Sequence, residues 1–173
     1  MGTPVLTASR KEAVKAWIAA VVWLILIAIE STTWLSSDHT SRILYPIFHF
    51  FTGVDRAQFA VWNYYIRETG HVVGYFVCSL LLFGAWRATL RAANDYRRWA
   101  YRWAAIAWVM TAAVASLDEW HQTFLPGRTG RFRDVVLDSS AALLAQILIF
   151  LWCLLASRSK SRSNREAQAV APR

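Results

Sequence analysis

The chain has 173 residues, 56% of them hydrophobic, and only 17% are charged, against roughly a quarter in soluble domains. A mean hydropathy of +0.29 excludes an ordinary soluble domain and places the chain in the membrane class. The net charge of +8 does not imply nucleic acid, because the basic residues gather at the ends of apolar runs, as topology signals do.

Residues 1–15 form a basic lead carrying Arg10, Lys11 and Lys15. The first apolar run, 16–35, is long enough to span a membrane. It lacks a small-residue cleavage site, so it reads as an anchor that is not removed. Glu30 and Ser31 lie in its last third. A long outer loop follows, 36–69, and it is not plainly soluble. Its first half, SRILYPIFHFFTG, is apolar and aromatic; its second half places Phe59, Trp62 and Ile66 at helical spacing. One or two short helices in the outer interface are expected, either covering a cavity or forming a simple cap.

The second span is placed from Gly70 to Trp86, followed by a basic inner loop, 87–102. The third apolar run, 103–117, is Ala-rich and runs straight into Asp118 and Glu119. Its 15 residues cover about 22 Å of a hydrocarbon core nearer 30 Å, which pulls both acids into the membrane edge. LPGRTG, 125–130, carries turn chemistry. The last span opens near Asp134, uses the small residues of SSAALLA for close packing, and ends by Ala156; the basic tail from Ser157 is expected to be disordered. The fold class is therefore an all-α membrane protein: a four-helix transmembrane bundle, both termini cytoplasmic, with short interfacial helices in the first outer loop. Its units are the lead 1–15, the membrane domain 16–156 and the tail 157–173. Cys78 and Cys153 sit inside apolar runs and read as small buried hydrophobes.

Each span places polar side chains at one depth near the outer face. Glu30 comes from the first; His71 and Tyr75, four apart, from the second; Asp118 and Gln122, also four apart, with Glu119, from the third; Asp134 and Asp138 from the fourth. Taken singly, each has a plain reading: Glu30 as a rim carboxylate, His71 as an interfacial hydrogen-bonding residue, Asp134 as a helix cap, Arg131 and Arg133 as head-group contacts. Together they point to a shared polar pocket. Glu30, His71, Asp118, Glu119 and Asp138 are the candidates for acid–base work. Tyr75, Gln122, Arg128 and Asp134 are candidate binding residues, Arg128 for a phosphate. A purely structural role is also open, with Arg128 pairing with Asp118 or Glu119. No nucleophile elbow, phosphate loop or HExxH motif is present, so no reaction class follows. No metal ligand or cofactor is assigned, although acids and His71 are chemically able to hold a divalent cation.

The run DEWHQTFLPGRTGRFRDVVLD, with IRETGHVVGYF and the Glu30-Ser31 pair before Trp34, resembles the VanZ-like membrane proteins across residues 25–155. Glu68 stands where a basic residue is common in that family, and Ala141 and Ala145 where glycines are common. The resemblance implies the motif residues Glu30, His71, Tyr75, Asp118, Glu119, Gln122, Arg128, Asp134 and Asp138. It implies an integral protein of the plasma membrane in a family named for teicoplanin resistance. The expected partner is a membrane lipid or envelope amphiphile that the pocket binds or modifies. The alternative is a non-enzymatic scaffold whose polar layer is structural.

Overall fold

In a computed structural model, the described residues are 4–32, 37–91, 99–126, 128 and 130–170, with 4–9, 37–40 and 160–170 described for their backbone alone. They form five helices: α1 (Pro4–Glu30), α2 (Ser37–Thr52), α3 (Arg56–Leu90), α4 (Tyr101–Gln122) and α5 (Phe132–Val170). No strand occurs among the described residues. Trp34, the arginines at 97 and 98, and Gly127 lie outside them.

The apolar residues are distributed as lipid demands. Ile18, Val22, Ile25 and Ile29 of α1 and Ile147, Leu151 and Trp152 of α5 face outward, while alanines fill the interior. A helix satisfies its own backbone hydrogen bonds, which is why apolar runs of this length fold this way in hydrocarbon. Arg10–Glu30, Arg56–Leu90 and Phe132–Ser159 are long and apolar enough to cross a membrane. The helix containing the third apolar run, α4, is not in that set. It carries Ala, Trp and Thr where the others carry Ile and Leu, which lowers its hydropathy.

The second span begins earlier than its hydropathy suggests. No break occurs at Gly70. Residues 56–69, expected in the outer loop, are the first turns of a single helix of 35 residues, about 52 Å long. Asp55 caps it, its Oδ1 accepting the Gln58 backbone N–H at 2.8 Å. A short joint at 53–55 precedes it, where Gly53 takes φ +68°, a value open to glycine at little cost. The joint turns α2 back onto α3, where Tyr45 and Phe48 pack on Phe59 at ring distances of 5.5 and 5.6 Å. Ile43, Phe50 and Phe51, on other sides of α2, are exposed. At the far end, helix α5 runs through residues 157–170, where disorder was expected.

Helix α3 is the hub, packed by α1, α2, α4 and α5. Away from the acids the contacts are close and largely apolar. Leu82, Ala85, Trp103, Ala107, Ala115, Ala142 and Ala145 are buried, small side chains letting the backbones approach. Trp17 of α1 meets Trp86 of α3 edge-on at 5.2 Å, near the basic end. Trp23 Nε1 donates to the Gly74 carbonyl at 2.9 Å. Ser79 and Gln146 join α3 to α5: Gln146 Nε2 donates to Ser79 Oγ at 2.7 Å, and Ser79 Oγ donates to the Ala142 carbonyl at 3.0 Å.

Candidate functional site

The last turn of α1, the middle of α3, the last turns of α4 and the first turns of α5 meet at one end of the bundle. The spacings of four residues on α3, α4 and α5 each aim two polar side chains to one side. A cavity of about 740 Å³ opens there, with α2 on one flank. His71, Glu119, Gln122, Arg128, Asp134 and Asp138 line it.

Tyr75 and Asp118 lie beneath the lining. The Tyr75 hydroxyl donates to Asp118 Oδ2 at 2.8 Å, and Gln122 Nε2 donates to the same oxygen at 3.2 Å. Tyr75 is 1% exposed, so this hydroxyl bond lies in the packed interior. Glu119 is fixed differently. Its Oε2 accepts the Arg131 backbone N–H at 2.8 Å, which ties the end of α4 to the start of α5. Gly130 makes that approach possible: a Cβ there would collide with the Glu119 carbonyl and come within 2.7 Å of Thr123 Cγ2. Glu30 is at the periphery, its Oε1 3.5 Å from where a Cβ on Gly70 would sit.

Among the described residues Asp138 is the most deeply buried acid, 1% exposed, and neither carboxylate oxygen has a hydrogen-bond partner. His71 Nδ1 stands 3.7 Å from Asp138 Oδ2, an ion-pair distance rather than a hydrogen bond. Asp134 sits in the first turn of α5, where negative charge suits the helix dipole.

Arg128 does not pair with Asp118 or Glu119, as the structural reading of the sequence had it. Its Nη2 donates to the carbonyls of Glu30 and Thr32 at 2.7 and 3.0 Å, capping the end of α1. Its Nε and Nη1 are buried and have no partner. Burial, and next the charge of Arg67, push the Arg128 guanidinium below its usual range. It stays charged, since arginine starts so high. His121 is turned away from Asp118 and instead meets Ser31 Oγ at 3.3 Å.

Sequence reasoning missed Tyr45, Asn63 and Arg67, which also line the cavity. The signal was present. Asn63, Arg67, His71 and Tyr75 recur every four residues, one stripe of a continuous helix. Placing the start of the span at Gly70 cut that stripe in two.

Outward-facing apolar helices around a cavity of acids, imidazole and guanidinium define an all-helical membrane protein with a polar site at one end. The sequence matches the VanZ/LLP1 family over residues 15–154, and the chain belongs to that family. No curated protein and no solved structure matches it.

Proposed function

We propose that the chain crosses the plasma membrane four times with both termini cytoplasmic, and that its cavity, at the outer face, binds an amphiphile with an anionic head group. A lipid, a lipid-linked envelope precursor or a glycopeptide-type amphiphile has this chemistry, and the second would connect the cavity to the family's link with teicoplanin resistance. The observation that carries this reading is Arg128. Two of its nitrogens are buried beside the cavity with no protein acceptor, and burying a charged donor unpaired is costly unless a ligand completes it. A phosphate or carboxylate oxygen accepts a charge-assisted hydrogen bond from either donor. The aromatic flank supplied by α2 suits the apolar part of such a molecule.

The orientation rests on charge. Arg10, Lys11 and Lys15 lie at the start of α1, Arg87 and Arg91 at the end of α3, Arg102 at the start of α4, and Arg158 late in α5, all toward the end away from the cavity. The 22 residues of α4 extend about 33 Å, enough to cross as the fourth span despite its lower hydropathy.

Native mass spectrometry from mild detergent tests the ligand. The wild-type chain should retain an anionic lipid that Arg128→Lys loses or holds weakly, the lysine still being able to cap α1. Equal retention in both would end the proposal. A scaffold role is favoured by one set of contacts, the closed bonds of Tyr75, Gln122 and Arg131 to the acids. Under that reading Glu119→Ala loses stability and cellular function in parallel. Function lost at unchanged stability argues for a site.

A further inference from the structure

Three side chains at the floor of the cavity offer a donor set of a different kind. One ring nitrogen of His71 and one oxygen each of Asp118 and Glu119 lie within 4.8 Å of one another. Ligand atoms about 2.1 Å from an ion at tetrahedral angles lie about 3.4 Å apart, so a contraction of at most about 1.4 Å brings the three onto a common centre. Both carboxylates are already held by one oxygen. Asp118 Oδ2 receives Tyr75 and Gln122, and Glu119 Oε2 receives the Arg131 N–H. Each carboxylate has a second oxygen, Asp118 Oδ1 and Glu119 Oε1, that these bonds do not use. Holding one oxygen to aim the other is how outer partners fix metal ligands.

Acids in a cluster are not by themselves a metal site. Asp138 supplies the independent observation. Its carboxylate is 1% exposed, borders the same cavity, faces His71 and accepts no hydrogen bond. A buried carboxylate with no donor needs positive charge close by. At that floor Asp118, Glu119 and Asp134 are acids, and His71 stands 3.7 Å away without a hydrogen bond to it. Arg128 makes no hydrogen bond to it either.

We propose that His71, Asp118 and Glu119 bind one divalent cation of the transition series, Zn²⁺ or Mn²⁺, with Asp138 as the outer carboxylate beside His71. One imidazole with two carboxylates suits these ions better than Mg²⁺ or Ca²⁺, which prefer all-oxygen shells. The cation balances the carboxylates and leaves open positions toward the cavity. The proposal goes beyond the amphiphile reading and does not depend on it.

The test uses the full chain in mild detergent, stripped with chelator and free of added lipid. Equilibrium dialysis with elemental analysis should give one Zn²⁺ or Mn²⁺ per chain and no comparable uptake of Mg²⁺ or Ca²⁺. Asp118→Asn and Glu119→Gln should abolish that stoichiometric binding. Asp138→Asn should weaken it roughly 10–100-fold, as loss of an outer partner does. Glu12→Gln, far along α1, should leave it unchanged. If the acid variants fold poorly, pulsed EPR of Mn²⁺ in the wild-type chain decides, and a coupling to one imidazole nitrogen is expected. Substoichiometric binding by the wild-type chain, binding unaffected by Asp118→Asn, or bound Mn²⁺ without nitrogen coupling would each overturn the site. Because no lipid is present, the cation can fail while retention of an amphiphile stands, and the reverse.

Discussion

The two ends of the bundle solve the burial of polar atoms in opposite ways. In the alanine-lined part, Ser79 and Gln146 bond across α3 and α5, Thr111 Oγ1 returns to the Ala107 carbonyl at 2.8 Å, and the unpartnered atoms at Trp99, Trp103 and Gln146 are neutral, Arg87 Nε near the basic end being the charged exception among the described residues. At the cavity end, the unpartnered atoms at Asp138 and Arg128 belong to charged groups and sit beside an opening. Folding alone favours the first arrangement, because a buried charge left unpaired costs more than it returns. The second persists where something from outside completes it. Stability and function are thus assigned to different ends of the same helices.

That contrast can be broken by substitution. Leu82→Ala, in the fully buried alanine-lined part, should cost about 2–5 kcal/mol in unfolding from detergent while leaving ligand retention per folded chain intact. Lost retention at preserved stability would erase the division of labour. Gly130→Ala should cost about 1–3 kcal/mol, because the added methyl collides with the Glu119 carbonyl, and should also release the Arg131 N–H. Protection of that amide against hydrogen exchange reads the release directly, and unchanged protection would count against the close approach. Tyr75→Phe should cost about 1 kcal/mol, since Asp118 keeps Gln122 as a donor. The smallest effect is expected at the most buried acid. Asp138→Asn in chelator-treated protein should melt no lower than wild type, within about 0.5 kcal/mol, since it removes a buried carboxylate that accepts no hydrogen bond. A loss as large as that of Tyr75→Phe would mean that the carboxylate is paired within the protein.

How much of this was legible in the sequence depended on what hydropathy measures. It reports contact with lipid, so α1 and the apolar body of α5 were readable, and the depth shared by the acids followed from where the apolar runs stop. It does not report where a helix begins. Arg56, Arg67 and Glu68 interrupt the apolar signal of α3 without interrupting its backbone, because only part of each turn faces lipid. The capping chemistry of Asp55 with Gln58 three residues later was the better sign of its start. The same confusion ended α5 too early. Within the site, the i, i+4 pairs of His71 with Tyr75, Asp118 with Gln122 and Asp134 with Asp138 were readable, because spacing alone puts them on one side of a helix. The use of Arg128 was not. Its acceptors are backbone carbonyls of a helix nearly a hundred positions away, and no side-chain pattern announces a carbonyl.

The joint at 53–55 has a mechanical consequence. An α-helix with an unbroken ladder turns as one piece, so α3 carries Asn63, Arg67, His71 and Ser79 as marks on a single rod. α2 hangs from that rod by three residues, one of them a glycine with positive φ. Any swing of α2 away from the cavity pivots at that joint and carries Arg42 and Tyr45 off the lining while the stripe on α3 keeps its register.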